Sequence, residues 1–183
     1  MGTIKTTNIE PIADNGTITL GSSGDTFTVP SGVIMSGQNY PAFNAYRSSD
    51  GSSWSVDTFT KVTFNAETLD TNNNYDVSNG RFTPTVAGNY FCYYFLRISY
   101  NSGTAADIRG KFNFNGSDIT AATNAIFKDY SSSGITLVYS LGQSTTINFN
   151  GSSDYLEIYG RSNASGGGFA GSGSYFGAYR IGS

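Results

Sequence analysis

The acidic side chains are the residues of this sequence whose type could support catalysis. Glycoside hydrolysis needs two carboxyl groups about 5–10 Å apart across a sugar. Eight acids outside the N-terminal segment are candidates: Asp50, Asp57, Glu67, Asp70, Asp118, Asp129, Asp154 and Glu157. Their spacing selects no pair, and exposed loop positions account for them. We therefore predict that the protein is not an enzyme.

Other common catalytic groups are scarce. The sequence contains no histidine, which removes the commonest general base, the Ser-His-Asp triad and most zinc sites. Cys92 is the only cysteine and lies in the apolar run FCYYFL, so we expect a buried, inert thiol and no internal disulfide. Gly166–Gly168 is not followed by the Lys-Ser/Thr of a phosphate-binding loop, and no loop carries the carboxylates of a calcium site. These observations predict no cofactor and no catalytic or metal-binding residue.

The composition excludes two further classes of function. Only 13% of the 183 residues are charged, and the net charge is −3 with ten basic residues. No clustered Lys/Arg footprint for nucleic acid is present, and no apolar run approaches the roughly twenty residues that cross a bilayer. The first residues lack the layout of a secretory signal peptide, so we expect synthesis and folding in a cytosol. Ser, Thr, Asn and Gly give the protein a nearly neutral, hydroxyl-rich surface.

Residues 36–183 read as an all-β domain. Alternating or apolar runs occur at 41–46, 61–64, 90–100, 111–114, 135–141, 146–149, 155–159 and 175–181. Eight to ten short antiparallel strands of this kind predict a two-sheet sandwich or jelly roll. The nearly continuous apolar run at 90–100 predicts a strand covered on both faces. Asn-Gly at 79–80, 115–116 and 150–151 predicts turns, and at 79–80 a two-residue type I′ hairpin.

Residues 1–35 form a separate segment in this interpretation. The stretches TITL at 17–20 and DTFTV at 25–29 alternate polar and apolar residues, which predicts two strands with one buried face. Their apolar side chains, Ile18, Leu20, Phe27 and Val29, are too few to build a core. The segment must therefore pack on the main domain, on another chain or on a larger partner.

The spacing of one set of residues resembles a known family. Phe64, Asp70, Tyr75, Phe82, Gly88, Tyr90 and Tyr94 are spaced as in the signature of the C1q domain, the jelly roll shared with the tumour necrosis factor family. Cys92 departs from this signature, which has Phe there. Phe176 and Tyr179, in the stretch YFGAY, match the closing strand of the family. The resemblance covers residues 38–183 and implies a C1q/TNF-like antiparallel jelly roll.

The same resemblance implies a compact homotrimer in which one sheet of each subunit faces the threefold axis. With 13 tyrosines and 13 phenylalanines, the chain has more aromatic surface than one jelly-roll core of this size needs. The surplus would be buried between subunits. Some members of the family hold calcium near this axis, but no residue here matches a motif that carries such a site over.

The N-terminal segment has a resemblance of its own. The stretches TTNIEPI at 6–12 and GSSGDTFTVP at 21–30 are similar to pieces that precede such domains in tailed-phage fibre and virion proteins. This implies a virion protein made in the host cytoplasm, with residues 1–35 bound to other virion proteins. Its jelly roll would be a non-catalytic fibre tip or receptor-binding head for a bacterial surface glycan or protein.

Aromatic, amide and hydroxyl groups suit sugars, and these considerations select eight candidate surface-binding residues: Tyr46, Asp50, Trp54, Asn101, Asp129, Tyr130, Asn163 and Phe169. Two alternatives remain open. One is a capsid decoration, cement or collar protein with a purely structural role. The other is a bacterial surface or secreted lectin, which requires an export signal. All three interpretations exclude nucleic acid and membrane insertion.

Overall fold

A computed structural model of the chain describes residues 9, 16, 18–26, 28, 31, 40–50, 55–104, 107–126, 131–163, 167–171 and 173–182. The chain divides into two compact units, Met1–Gln38 and Asn39–Ser183. Across the described ranges, no helix has the length and apolar character needed to span a membrane.

The larger unit is built from β-strands. Twelve strands and no helix occur in the described part of the chain: β1 Ala42–Tyr46, β2 Thr60–Lys61, β3 Ala66–Asp70, β4 Tyr75–Asp76, β5 Arg81–Phe82, β6 Gly88–Thr104, β7 Ile108–Phe114, β8 Ser117–Ile126, β9 Ser131–Phe149, β10 Leu156–Ser162, β11 Gly167–Phe169 and β12 Tyr175–Gly182.

The strands form two antiparallel sheets. In the first, the order is β11-β6-β12-β1-β3, with β9 also paired to β6. In the second, the order is β4-β5-β10-β7-β8, with β2 also paired to β10. Apolar residues of both sheets meet in one core. This jelly-roll sandwich confirms the predicted all-β fold.

Strand β6 is the spine of the first sheet, because β9 pairs along nearly all of it and β12 along its first half. Tyr90, Cys92 and Tyr94 point into the core, whereas Phe91 and Tyr93 point outward and stay partly exposed. The prediction that both faces of this strand are covered is therefore met on one face only. Within a single chain, no second layer lies over the other face in the described structure.

The core contains the aromatic residues that carry the resemblance, except Tyr179, which is exposed. Phe64, Tyr75, Phe82, Tyr90, Tyr94 and Phe176 are all buried. Phe43 lies at their centre, stacked on Phe82 with ring centroids 4.2 Å apart and meeting Phe176 edge-on at 4.8 Å. Offset and edge-to-face pairs of this kind add roughly 0.5–1.5 kcal/mol each beyond their buried area.

The polar member of the signature fixes the connection between β3 and β4. Asp70 accepts a hydrogen bond from the Tyr75 backbone N–H at 2.8 Å and one from the Asn72 N–H at 3.3 Å. The Tyr75 hydroxyl then donates to the carbonyl oxygen of Phe64 at 3.1 Å. The spacing of Phe64, Asp70 and Tyr75 thus closes one loop between two buried residues, Phe64 and Tyr75.

Two Asn-Gly turns have different outcomes. Asn115 and Gly116 both have positive φ, 52° and 80°, and join β7 to β8 as a two-residue hairpin. At 79–80 the type I′ prediction is wrong, because the loop between β4 and β5 has four residues and Asn79 has no positive φ. The cause is Asp76, whose carboxylate accepts from the Ser78 N–H at 2.9 Å and the Asn79 N–H at 3.2 Å. These bonds favour the longer loop.

The strand predicted at 17–20 is not formed at its described residues, 18–20. Ile18 and Leu20 are exposed there, and a turn follows in which Asp25 N–H donates to the Ser22 carbonyl at 3.0 Å. No strand is found at the described residues 25, 26 and 28 either, while Phe27 and Val29 lie outside the described residues. A strand needs a partner to satisfy its backbone groups, and alternation of side chains does not supply one.

Candidate functional site

The outer surface of the first sheet carries the strongest candidate site. We call it the aromatic face, and it consists of three rows that cross β6, β12, β1 and β3. Strand register places Phe95, Tyr175 and Tyr46 in one row, Tyr93, Gly177, Asn44 and Leu69 in the next, and Phe91, Tyr179 and Ala42 in the third. Each row lies on the face opposite the core, because its members alternate with buried residues.

The rings of this face contact one another across strands. Phe91 and Tyr179 lie 5.4 Å apart between centroids, and Tyr93 meets Tyr175 at 6.2 Å. Their outer edges remain in water, since Tyr175 is 39% and Tyr179 46% exposed. Aromatic surface ordered in this way and left exposed is typical of a site that another molecule covers.

Glycine makes room for one ring of the aromatic face. A Cβ added at Gly177 would lie 2.6 Å from Cζ of Tyr93 and 2.9 Å from the Phe43 carbonyl oxygen. The Tyr93 ring therefore lies across the bare backbone of β12. The sequence Tyr-Phe-Gly-Ala-Tyr at 175–179 thus places two tyrosines outward and leaves a slot for a third ring between them.

The aromatic face is uncharged. None of its rows contains Asp, Glu, Lys or Arg. Burial raises the pKa of Tyr93, and the neighbouring Tyr175 and Tyr179 raise it further, so its hydroxyl stays neutral. The face can pack against apolar surface and form hydrogen bonds through tyrosine hydroxyls at its boundary.

A model of the C1q domain matches residues 42–171. The chain belongs to the C1q domain family. The match begins at β1 and reaches the loop after β11, so it includes all of the signature from Phe64 to Tyr94. The sequence-based resemblance to the C1q domain is confirmed.

Three solved structures illustrate the similarity. The globular domain of zebrafish complement 1qA is 22% identical, with 77% of this chain and 96% of that chain covered and a TM-score of 0.49. Murine APRIL is 12% identical, with 78% and 99% covered, and its TM-scores are 0.55 for the pH 8.5 structure and 0.52 for the pH 5.0 structure. No curated protein has a significantly similar sequence. At 12% identity, the likeness to murine APRIL shows the jelly-roll fold alone.

The predicted surface-binding residues do not form one site. Tyr46 lies at the end of the first row of the aromatic face, 37% exposed. The Asp50 carboxylate accepts from the Gly171 backbone N–H at 2.6 Å and so ties two loops of the C1q domain together. Asn163 and Asp107 exchange two hydrogen bonds, which places Asn163 at a second loop junction. Trp54, Asp129, Tyr130 and the side chain of Asn101 lie outside the described residues.

The prediction that Phe169 is a surface-binding residue is wrong. Phe169 is 3% exposed and belongs to the core. Its ring lies over Gly160 of β10, where an added Cβ would be 2.7 Å from the Phe169 Cζ. Phe169 lies among glycines in the sequence, so no alternating pattern indicates a strand there. Its pairing with β6 turns the ring into the core.

Six of the eight acids considered for catalysis have hydrogen-bond or ion-pair partners within the described structure: Asp50, Asp57, Asp70, Asp118, Asp154 and Glu157. Glu67 is exposed on β3, and Asp129 lies outside the described residues. Glu157, whose side chain is 4% exposed, accepts from Lys61 at 2.9 Å and from Arg81 at 2.8 Å. Burial would raise the pKa of Glu157, but the hydrogen bonds and charges of Lys61 and Arg81 outweigh it and lower the pKa. A carboxyl group with a lowered pKa is ionised near neutral pH and is unsuited to act as a general acid.

Asp118 lies on the second sheet with its side chain 44% exposed, and Lys111 and Asn113 donate to it and lower its pKa. Asp57 pairs with Arg161, and Asp154 accepts from Asn115 and Asn150. Across the described ranges, no three His, Cys, Asp or Glu side chains lie close enough to hold a metal ion. The arrangement therefore points to structural ion pairs on the second sheet and to an association surface on the first.

Sequence reasoning missed the ion-pair surface of the second sheet. Five of the ten basic residues lie on it: Lys61, Arg81, Arg109, Lys111 and Arg161. Aromatic rings are interleaved with them, as where the Arg81 guanidinium lies 3.8 Å from the Tyr155 ring centroid. Residues 61, 81 and 157 are far apart in the sequence, so no local pattern could have revealed their pairing.

Proposed function

We propose that this C1q-domain protein is a non-catalytic, homotrimeric receptor-binding head of a phage particle. In this proposal, residues 1–35 attach the trimer to other virion proteins. The jelly roll then presents its loops to a glycan or protein of the bacterial surface.

The exposed aromatic face is the observation that supports the proposed homotrimer. Moving a large apolar side chain from water into an interface contributes about 1.5–3 kcal/mol, and each subunit would contribute several such rings. The face has no charge that burial would leave unpaired. A second and third copy of the same chain would therefore cover it at little electrostatic cost, consistent with the C1q fold.

The receptor-binding role is supported by the division of the chain and by the character of its surface. Residues 1–38 form a unit separate from the C1q domain, as an attachment segment would. The loop between β9 and β10 carries the amide of Asn150 and the hydroxyls of Ser152 and Ser153. Three such domains on one axis would raise weak affinity for a repeated surface glycan by orders of magnitude if their spacing matches it.

Two measurements on the full chain test the proposal. Light scattering at micromolar concentration should give a mass near three times 19.5 kDa. The verified trimer should then bind host cell envelopes and compete with the phage for adsorption. A monomer would contradict the trimer. A trimer that binds no envelope component, together with particles that lose stability without the protein, would contradict the receptor-binding role and favour capsid decoration.

A further inference from the structure

Asn44 is the only residue with a side-chain amide in the rows of the aromatic face, and it lies near the middle of them. Strand register places Gly177 of β12 directly opposite Asn44 on one side and Leu69 of β3 on the other. The other outward residues beside it on β1 and β12 are Ala42, Tyr46, Tyr175 and Tyr179. One carboxamide is therefore surrounded by aromatic and aliphatic side chains on a surface without charge.

The carboxamide of Asn44 is accessible in a single chain. The side chain is partly exposed, and it has no hydrogen-bond partner among the described residues. The Asn44 backbone carbonyl accepts from the Thr68 hydroxyl at 3.2 Å, where the pairing of β1 with β3 shifts register. A bulge of this kind re-aims the side chains beside it. The fold thus presents the amide at the surface, where solvent or another molecule must satisfy its donors and its acceptor.

Association through the aromatic face would remove solvent from this amide. Leaving a buried amide group without a hydrogen-bond partner disfavours a complex by roughly tenfold or more. A closed trimer contains three copies of Asn44, so a docking geometry that leaves all three unpaired is disfavoured by roughly a thousandfold. The neighbouring rings impose no such requirement, because apolar burial is non-directional. Asn44 therefore restricts the geometry of association more than the rings do.

The same face supplies hydrogen-bond partners for the amide. In a homotrimer the surface that covers Asn44 belongs to another copy of the chain, and its aromatic face carries four tyrosine hydroxyls besides its own Asn44. The four belong to Tyr46, Tyr93, Tyr175 and Tyr179, and none of these hydroxyls has a hydrogen-bond partner among the described residues. A hydroxyl and a carboxamide each donate and accept, so either group of a neighbouring copy can complete Asn44.

We propose that Asn44 determines how many copies of the chain associate and in which orientation. The rings supply the affinity, and the complex that forms is the one in which each Asn44 amide meets a tyrosine hydroxyl or the amide of a neighbouring copy. A single asparagine in an otherwise apolar interface fixes the register and oligomeric state of coiled coils for the same reason. The proposal rests on the homotrimer proposed above and adds the residue that selects three copies over other numbers.

The mass of Asn44→Leu is the first test. Leucine keeps the apolar contact and removes the directional requirement. Light scattering and sedimentation at micromolar concentration should show species of two, four or more chains, where the unaltered chain gives only three times 19.5 kDa. Far-UV circular dichroism should stay unchanged, because the Asn44 side chain has no partner within the described chain to lose. Ser55→Leu is the matched control, since Ser55 is exposed outside the aromatic face, and it should remain a trimer.

Hydrogen exchange of the Asn44 side-chain amide is the second test, on the isotopically labelled full chain. Asn44→Ser assigns the signal by its loss. In the trimer a hydrogen-bonded, covered amide should exchange at least about tenfold more slowly than in the monomeric Tyr175→Lys protein, where it meets water.

The outcomes separate this inference from the trimer itself. If Asn44→Leu is a single trimeric species, or if the Asn44 amide exchanges equally fast in trimer and monomer, the role of Asn44 is overturned and the trimer stands. A monomeric Asn44→Leu would show that the amide supplies affinity and not selectivity, which also contradicts the inference. A monomeric unaltered chain would overturn the trimer, and the role of Asn44 with it.

Discussion

Tyr175 lies flat against Phe95, with ring centroids 5.4 Å apart and only 12° between the ring planes. The two residues face each other across β12 and β6, and Tyr46 continues the row on β1. Stacked cross-strand rings stabilise the register of a sheet. Here they also present a flat apolar surface to the outside.

Replacing Tyr175 by lysine should dissociate the proposed trimer. A lysine in the aromatic face would bury a charge without a partner, which an interface of this kind cannot tolerate. Light scattering should give the mass of one chain, 19.5 kDa, while far-UV circular dichroism stays unchanged. Val56→Lys is the control, because Val56 is also exposed, at 49%, and lies outside the face. A Tyr175→Lys protein that remains trimeric at micromolar concentration would contradict the interface.

Gly177→Ala should destabilise the domain by about 1–3 kcal/mol, the usual cost of forcing extra atoms into a packed site. The new Cβ meets the Tyr93 ring on one side and the Phe43 carbonyl on the other. Urea unfolding at fixed protein concentration measures the free energy of unfolding. Gly182→Ala lies on the same strand with no atom within 4 Å of the added Cβ and should change it by less than about 0.5 kcal/mol. Equal effects of the two substitutions would contradict the packing described for Tyr93.

Glu157→Gln should lower the free energy of unfolding by about 1.5–3 kcal/mol, because hydrogen bonds to a buried charge are lost while Lys61 and Arg81 remain. Asp57→Asn breaks an ion pair at a carboxylate that is 61% exposed and should cost less than about 1 kcal/mol. Urea unfolding of the two variants gives the comparison. If Asp57→Asn lowered the free energy of unfolding more than Glu157→Gln, burial of the Glu157 ion pairs would not determine their contribution to stability.

The difference in free energy of unfolding between the unaltered chain and Glu157→Gln should depend on pH. The pKa of Glu157 is lowered in the folded state from its ordinary value of 4.5, so the folded protein binds this proton less readily than the unfolded chain. The stabilisation is therefore complete above about pH 4.5 and is lost as the pH falls through the folded-state pKa. Urea unfolding of both proteins between about pH 7 and pH 3 should show the difference closing at the acidic end. If the difference in free energy of unfolding grew as the pH fell, the pKa of Glu157 would be raised in the folded state, which would contradict the ion pair.

The Cys92 thiol should be unreactive in the folded protein. Cys92 is fully buried, and this burial raises the pKa of its thiol. Because the thiolate is the reactive form, a maleimide or a disulfide reagent should not modify it at neutral pH. Denaturation in urea should expose one thiol per chain. Rapid modification without denaturant would mean that the region around β6 opens readily.

The residues that fill the core between the two sheets could be predicted well from the sequence. Phe64, Tyr75, Phe82 and Tyr90 all belong to the buried core, as the spacing indicates. Phe64 lies outside the strands, but burial alternates along residues 61–64, and the other three residues lie in strands. Asp70 could be read as part of the pattern, but its role in holding Tyr75 required the structure. Local periodicity determines which face a residue occupies, and distant pairing decides what that face contacts.

The wrong predictions also result from contacts between residues that the local sequence pattern does not show. Phe169 belongs to a three-residue strand among glycines, too short for a period to show, and only its pairing with Ile98 turns it inward. The hairpin predicted at Asn79-Gly80 fails because the upstream Asp76 binds the loop backbone.

The position of β12 within the first sheet has a consequence for synthesis of the protein. The last strand of the chain lies between β6 and β1, so its residues join two strands made much earlier. Until β12 has left the ribosome, those neighbours carry unpaired edges that favour association with other chains. The jelly roll can close only after this strand has been made. A chain that lacks β12 would have a gap in the first sheet and would be a substrate for chaperones and proteases.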